Sequence, residues 1–253
     1  MLNVENVSFS YENHQVLKDV NLHVNEGETV AILGRSGVGK TTLFQLITGL
    51  LSLQEGVISL EGSENIKGKI SYMLQKDMLY QHYTVAENIM LPRIIAGDTK
   101  TEARELALDL LEQFEMSKWA DYYPHALSGG MRQRIAFLRT AAFQRQWLLL
   151  DEAFSALDAF TRRQLHQWFI ETRKRMDWSS LLITHDIDEA MLLADRVYVI
   201  SGQPGTISYE LDTSFEIEDI EKVIFEPKFL EAKRKLLDAL NADDSMKALN
   251  ANE

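Results

Sequence analysis

Short apolar runs alternate along this chain with longer stretches whose apolar residues recur at helical spacing. LNVENVSFSY (2–11) and DVNLHV (19–24) alternate apolar and polar positions, the period of strands with one wet face. TVAILG (29–34) is apolar throughout, as a strand covered on both faces is. KTTLFQLITGL (40–50) has helical spacing closed by a glycine, and GVISL (56–60) and KISYML (69–74) read as strands. From Thr84 to Trp119 the period is helical, and Pro92 is expected to break or kink it. A helix over Ser128–Phe143 leads into WLLLD (147–151), a buried strand. TRRQLHQWFIETRKR (161–175) is helical, SSLLIT (179–184) a strand, DIDEAMLLA (186–194) a helix and RVYVI (196–200) a strand. Strands separated by helices imply an α/β fold with a mostly parallel core sheet, here after an antiparallel N-terminal β part and interrupted by a helical subdomain at about 76–145. Beyond Gly205, the strand TISYEL and a charged helix near 228–240 read as peripheral, a packing cap or a solvated end. The expected division is a main domain over 1–207 and a short acidic extension over 208–253.

Composition narrows the class. The 253 residues are 45% apolar, enough for an ordinary globular core, and no run approaches the roughly 18–20 apolar residues of a membrane helix. MLNVENVSFSY lacks the basic and apolar segments of a signal peptide, and the chain has no cysteine, so a cytoplasmic protein is expected. A net charge of −12 argues against nonspecific nucleic-acid binding. Residues 208–253 hold 12 of the 38 acidic residues but only 6 of the 26 basic ones.

Candidate chemistry sits where strands end. GRSGVGKT (34–41) follows the strand TVAIL and opens a helix, the context in which G-x-x-x-x-G-K-[ST] binds phosphate. Gly34, Arg35, Ser36, Gly37, Val38 and Gly39 supply inward-facing amides. Lys40 is placed for the β- and γ-phosphates, the Thr41 hydroxyl for Mg²⁺ and Thr42 for the α-phosphate of a bound nucleotide. WLLLDE (147–152) delivers Asp151 to the end of a buried strand, where a carboxylate can hold the Mg²⁺ shell, while Glu152 polarises an attacking water. Gln75 ends KISYMLQ and can reach Mg²⁺ or that water; His185 ends SSLLITH and can reach the γ-phosphate. Tyr11, ending the first strand, can stack on adenine.

A second glycine-rich helix start, LSGGMRQR (127–134), offers Ser128, Gly129 and Gly130 as another anion cradle. One nucleotide needs no second cradle in its own chain, but two nucleotides between two chains do. Two copies about a two-fold axis would let the Ser128 loop of each cap the γ-phosphate held by the other. SALD (155–158) would then run along the interface, with Asp158 coupling the two sites.

The order GRSGVGKT, Gln75, LSGGMRQR, WLLLDE, SALD and ITH resembles the ATPase subunits of ABC transporters over residues 1 to about 205. That resemblance implies a P-loop NTPase fold, Tyr11 as the adenine-stacking aromatic, Gln75 in the loop that meets the membrane partner, Glu152 as catalytic base and His185 as switch histidine. It also implies MgATP as the ligand, the ATP-sandwich dimer, and placement on the cytoplasmic face of the membrane beside two integral permease subunits. LDAFTRRQLHQW and ITHDIDEAMLLADRVYVISGQPGTI are similar to nitrate-, sulfonate- and taurine-type importers, a branch that also serves thiamine-precursor pyrimidines. An extracytoplasmic substrate-binding protein is the further partner this implies, and nucleic acid is not one. Two positions depart from the pattern. Ala153 stands where proline is common, and YQHYTVAEN (80–88) lacks a Pro-Trp pair. MLPRIIAG (90–97) resembles export and lipoprotein-releasing ATPases, which leaves export or lipoprotein release as the alternative, followed by a soluble ABC protein acting on nucleic acid or ribosomes.

Overall fold

In the computed structural model the described residues are 1–155, 157–213, 215 and 220–250, with side chains described at all of these except 174, 220, 221 and 242–250. Ala156 of the SALD run, and residues 214, 216–219 and 251–253 of the expected extension, lie outside them. The N-terminal strands form a three-stranded antiparallel sheet. In it β1 (Leu2–Tyr11) lies between β2 (His14–Val24) and β4 (Glu55–Leu60). β2 begins before DVNLHV because β1 and β2 are one hairpin, Tyr11 pairing directly with His14.

The main sheet runs β5 (Ile70–Met73), β6 (Trp147–Asp151), β7 (Ser179–Thr184), β3 (Thr29–Leu33), β8 (Arg196–Ser201), β9 (Thr206–Asp212). All neighbours are parallel except β9, which is antiparallel to β8. Every residue of β3, β6 and β7 is buried, which accounts for their unbroken apolar runs. The two-residue period of a strand sorts these residues onto two faces. Val30, Ile32, Leu149, Leu181 and Ile183 face α1 (Lys40–Ile47) and the antiparallel sheet. Ala31, Leu33, Leu148, Leu150 and Leu182 face the other helices.

Between β5 and β6 the chain forms a helical block of α2 (Val85–Ala96), α3 (Lys100–Gln113) and α4 (Gly129–Ala141), with short 3₁₀ turns at Ser117–Trp119 and Pro124–Ala126. Of the break or kink expected at Pro92, the break does not occur. α2 continues through it to Ala96, and the helix ends instead at Gly97, whose left-handed φ of 105° a helix cannot contain. α2 and α3 each open with a complete capping box, Thr84 with Glu87 and Thr99 with Glu102, which defines two separate helices.

After β6 come α5 (Ala159–Met176), α6 (Ile187–Leu193), α7 (Ile220–Val223) and α8 (Pro227–Asn250). Of the two readings of the C-terminal helix, the structure supports the packing cap and not the solvated end. A division after residue 207 falls inside β9, which is hydrogen-bonded to β8 from Arg196 to Ser201. α8 buries Phe229, Ala232 and Leu236 in the core, and Lys233 forms an ion pair with Asp188 of α6 at 2.6 Å. Its charged residues are spaced so that one apolar stripe remains, and that stripe packs. No helix among the described residues is long and apolar enough to cross a membrane.

Candidate active site

Because β5, β6, β7 and β3 are parallel neighbours, their C-terminal ends open on one edge of the sheet. β3 feeds the loop Gly34–Gly39 there. Gly37 (φ 82°) and Gly39 (φ 109°) hold left-handed conformations that other residues rarely adopt. A Cβ on Gly34 would stand 2.6 Å from the Ile200 carbonyl oxygen, so β8 leaves room only for glycine. Gly39 caps α1 without a side-chain hydrogen bond, which leaves the first-turn N–H groups for a ligand. Val38 is buried, while Arg35, Ser36 and Gly37 are exposed. Lys40 is buried and folds back, its Nζ donating to the carbonyls of Gly34 (2.7 Å) and Arg35 (2.9 Å). Burial pulls the Lys40 ammonium below its ordinary pKa, against the opposing pull of Glu152 and Asp151.

β6 ends at Asp151, which is buried. The Tyr72 hydroxyl donates to its Oδ2 at 3.0 Å, and the Thr41 hydroxyl lies beside the same carboxyl. Burial raises the Asp151 pKa, partly offset by these two hydroxyls. Burial and the Asp151 charge likewise push the Tyr72 phenol far above its ordinary value. Glu152 follows at φ 45°, a left-handed turn that swings its side chain away from Asp151. The Gln75 amide donates to Glu152 Oε2 at 2.7 Å, and His185 Nδ1 lies 3.5 Å from Oε1. Lys40, Thr41, Gln75, Asp151, Glu152 and His185 therefore come together. The expected partners of Gln75 were Mg²⁺ or water; its partner here is the candidate base. Thr42 is half-buried in the first turn of α1.

The remaining candidates lie elsewhere. Tyr11 is exposed at the end of β1, edge-on to Phe9 at 4.9 Å, with its hydroxyl 3.5 Å from Gln45 Oε1. Ser128 caps α4, its Oγ accepting from the Met131 N–H at 3.3 Å. A Cβ on Gly130 would run into the Thr161 side chain, so Gly130 packs tightly against α5. Asp158 caps α5 by accepting from the Thr161 N–H at 3.0 Å, and its bonds to Thr161 hold its carboxyl below the usual range.

These features coincide in a known family. The family profile described as "ABC transporter" matches residues 17–155. The formylaminopyrimidine import ATP-binding protein ThiZ of Halalkalibacterium halodurans is 43% identical over 205 residues, covering 81% of each chain. This chain belongs to the ABC transporter family. The nitrate import ATP-binding protein NrtD of Synechocystis is 39% identical over 201 residues, 77% of this chain and 74% of its own. Among solved structures, the dimeric bacterial ABC transporter cassette MJ0796 superposes with a TM-score of 0.74 at 29% identity, over 85% of this chain and all of that one. The same cassette in a post-hydrolysis state with ADP and Pi superposes equally, at 28% identity. The chain is thus an ABC ATPase subunit that binds and hydrolyses ATP.

Several residues of this ABC ATPase that touch the site escaped the sequence reading. Tyr72 is one. Gln133, buried within LSGGMRQR, donates to the Ala153 carbonyl and so ties α4 to the loop carrying Glu152. Arg132 and Arg139 hold the segment after Gln75, through the Asp77 carboxylate (3.0 Å) and the carbonyls of Asp77 and Met78. Gly205 packs beneath the phosphate loop, where a Cβ would strike the Val38 carbonyl. A polar residue at an apolar helix position was the available signal for Gln133; nothing local marked Tyr72 or Gly205.

Proposed function

We propose that this ABC ATPase drives an importer for a small solute. Two copies close around two ATP at the cytoplasmic face of the membrane and move two integral permease subunits, supplied by an extracytoplasmic substrate-binding protein. The observation that carries the chemistry is the row of polar side chains at the strand ends: Tyr72 hydrogen-bonded to Asp151 with Thr41 beside it, then Gln75 hydrogen-bonded to Glu152 with His185 Nδ1 3.5 Å from that carboxylate, next to the Lys40 loop. Lys40 exchanges its two carbonyl partners for phosphate oxygens. Glu152, released by Gln75 and His185, takes a proton from the attacking water, while the Gln75 amide and the His185 imidazole orient that water and the γ-phosphate. The oxygen donors Thr41, Asp151 and Gln75 suit Mg²⁺, which would neutralise charge developing on the transferred phosphoryl group. Tyr11 stacks on the adenine, Ser128–Gly130 of the second copy caps the γ-phosphate, and Asp158 links the two sites. Leu74, Met78, Tyr80 and Tyr83, exposed around the Gln75 loop, form the apolar surface on which a permease would seat. The import reading is supported by the names of relatives at 39–43% identity.

The test is affinity purification of the tagged chain in mild detergent from its own cells, with mass spectrometry of what comes with it. A multispanning permease together with a binding protein is the expected result. A permease with a large extracytoplasmic domain and no binding protein would mean export, and ribosomal or chromosomal partners alone would remove the transporter reading while leaving the ATPase.

A further inference from the structure

Tyr72 lies outside every motif of the site, yet it touches the carboxylate assigned to the cation. On β5 it stands opposite Leu149 of the parallel strand β6. Residues two apart on a strand share a face, so Asp151 occupies the Leu149 face one step further on. A tyrosine is long enough to lean across that step, and its hydroxyl reaches Asp151 Oδ2 at 3.0 Å. Phe44 of α1, fully buried, meets the Tyr72 ring edge-on with centroids 6.1 Å apart, which confines the ring. The same helix carries Thr41, whose hydroxyl lies beside that carboxylate. Asp151 is therefore held from the sheet by the Tyr72 hydroxyl, with Thr41 of α1 next to it.

We infer that Tyr72 is a positioning residue for the cation site: its hydroxyl fixes the orientation of the Asp151 carboxylate and thereby sets the Mg²⁺ affinity of the nucleotide-bound enzyme. The inference rests on the ATPase reading above. Hydrogen-bond partners behind a metal ligand typically govern about 10–100-fold in metal affinity. A tyrosine in this place also links metal binding to the packing of α1 on β5, because Phe44 and Thr41 share that helix.

The test is a Mn²⁺ titration followed by electron paramagnetic resonance, with ATP bound to a Glu152→Gln chain so that turnover does not interfere. Tyr72→Phe in that background is expected to weaken Mn²⁺ binding by about tenfold or more, while ATP affinity in EDTA and Tm stay near those of the parent. Asp151→Asn should itself weaken Mn²⁺, and adding Tyr72→Phe to it should change nothing further, as for two residues acting through one contact. Equal Mn²⁺ affinity with and without the hydroxyl overturns the inference. An equal loss of metal-free ATP affinity also overturns it, since Tyr72 would then merely pack the loop. Failure of the Glu152→Gln parent to bind Mn²⁺ with ATP would defeat the nucleotide reading, and this role with it.

Discussion

Two helices of this protein begin at glycine-rich turns, and the two beginnings are finished in different ways. α1 starts from Gly39 in a left-handed conformation with no side-chain cap, and a buried lysine follows directly. α4 starts from Ser128, which caps its own helix through the Met131 N–H. Its first arginine is already engaged, with Arg132 Nε on Asp77 and Nη1 on the Leu127 carbonyl. An uncapped start keeps its amides for a ligand, whereas a self-capped start is complete without one and offers chiefly a hydroxyl and a helix dipole. The difference matches the division of labour in the proposed dimer: one loop holds the nucleotide, and the other closes over a nucleotide held by its neighbour.

The contrast can be broken most sharply at Lys40. Lys40→Ala should lower ATP hydrolysis by about 10²–10³-fold, the usual cost of removing one stabiliser of transition-state charge, and should weaken ATP binding by the single chain. Retained tight binding and turnover in a phosphate-release assay would sink the phosphate-loop assignment. Gly39→Ala comes next. It forces a Cβ into a left-handed φ and to within 2.7 Å of the Leu17 side chain, and should destabilise the fold by about 1–3 kcal/mol in urea unfolding. Ser128→Ala removes only the cap, at about 1 kcal/mol of stability, and should slow hydrolysis without changing ATP affinity at protein concentrations too low for dimers. A change in that monomer affinity would mean the Ser128 loop acts within its own chain. The smallest effect belongs to Gly129→Ala. Its Cβ would meet nothing nearer than the Arg132 guanidinium at 3.9 Å, so the better helix former should leave stability unchanged or raise it by up to about 1 kcal/mol. Slower hydrolysis despite that gain would locate Gly129 at the neighbour's nucleotide.

The strands were legible because burial on both faces leaves an unbroken apolar run, as in TVAIL and WLLLD, and their order of alternation with helices suffices for the class. Pro92 pointed to an interruption because proline is judged by the bond it loses. Asn88 nonetheless keeps the first turn of α2 in place, its side chain donating to the carbonyls of Tyr80, Tyr83 and Thr84. α8 stayed open between a packing cap and a solvated end because charge density hides a narrow apolar stripe: Phe229, Ala232 and Leu236 recur at helical spacing among lysines and acids, and they make it a cap.

Within the site, the sequence by itself determined the phosphate loop, the acidic pair and the second glycine-rich helix start, whose serine cap only the structure shows. Each is a contiguous run whose backbone geometry follows from its own glycines, caps and flanking strand. Only the tertiary structure decided the partners. Tyr72 meets Asp151 across 79 residues, and Gln75 meets Glu152 across 77. Those meetings depend on which strand lies beside which and in what register, and side chains of one strand carry no local mark of the neighbour they will face.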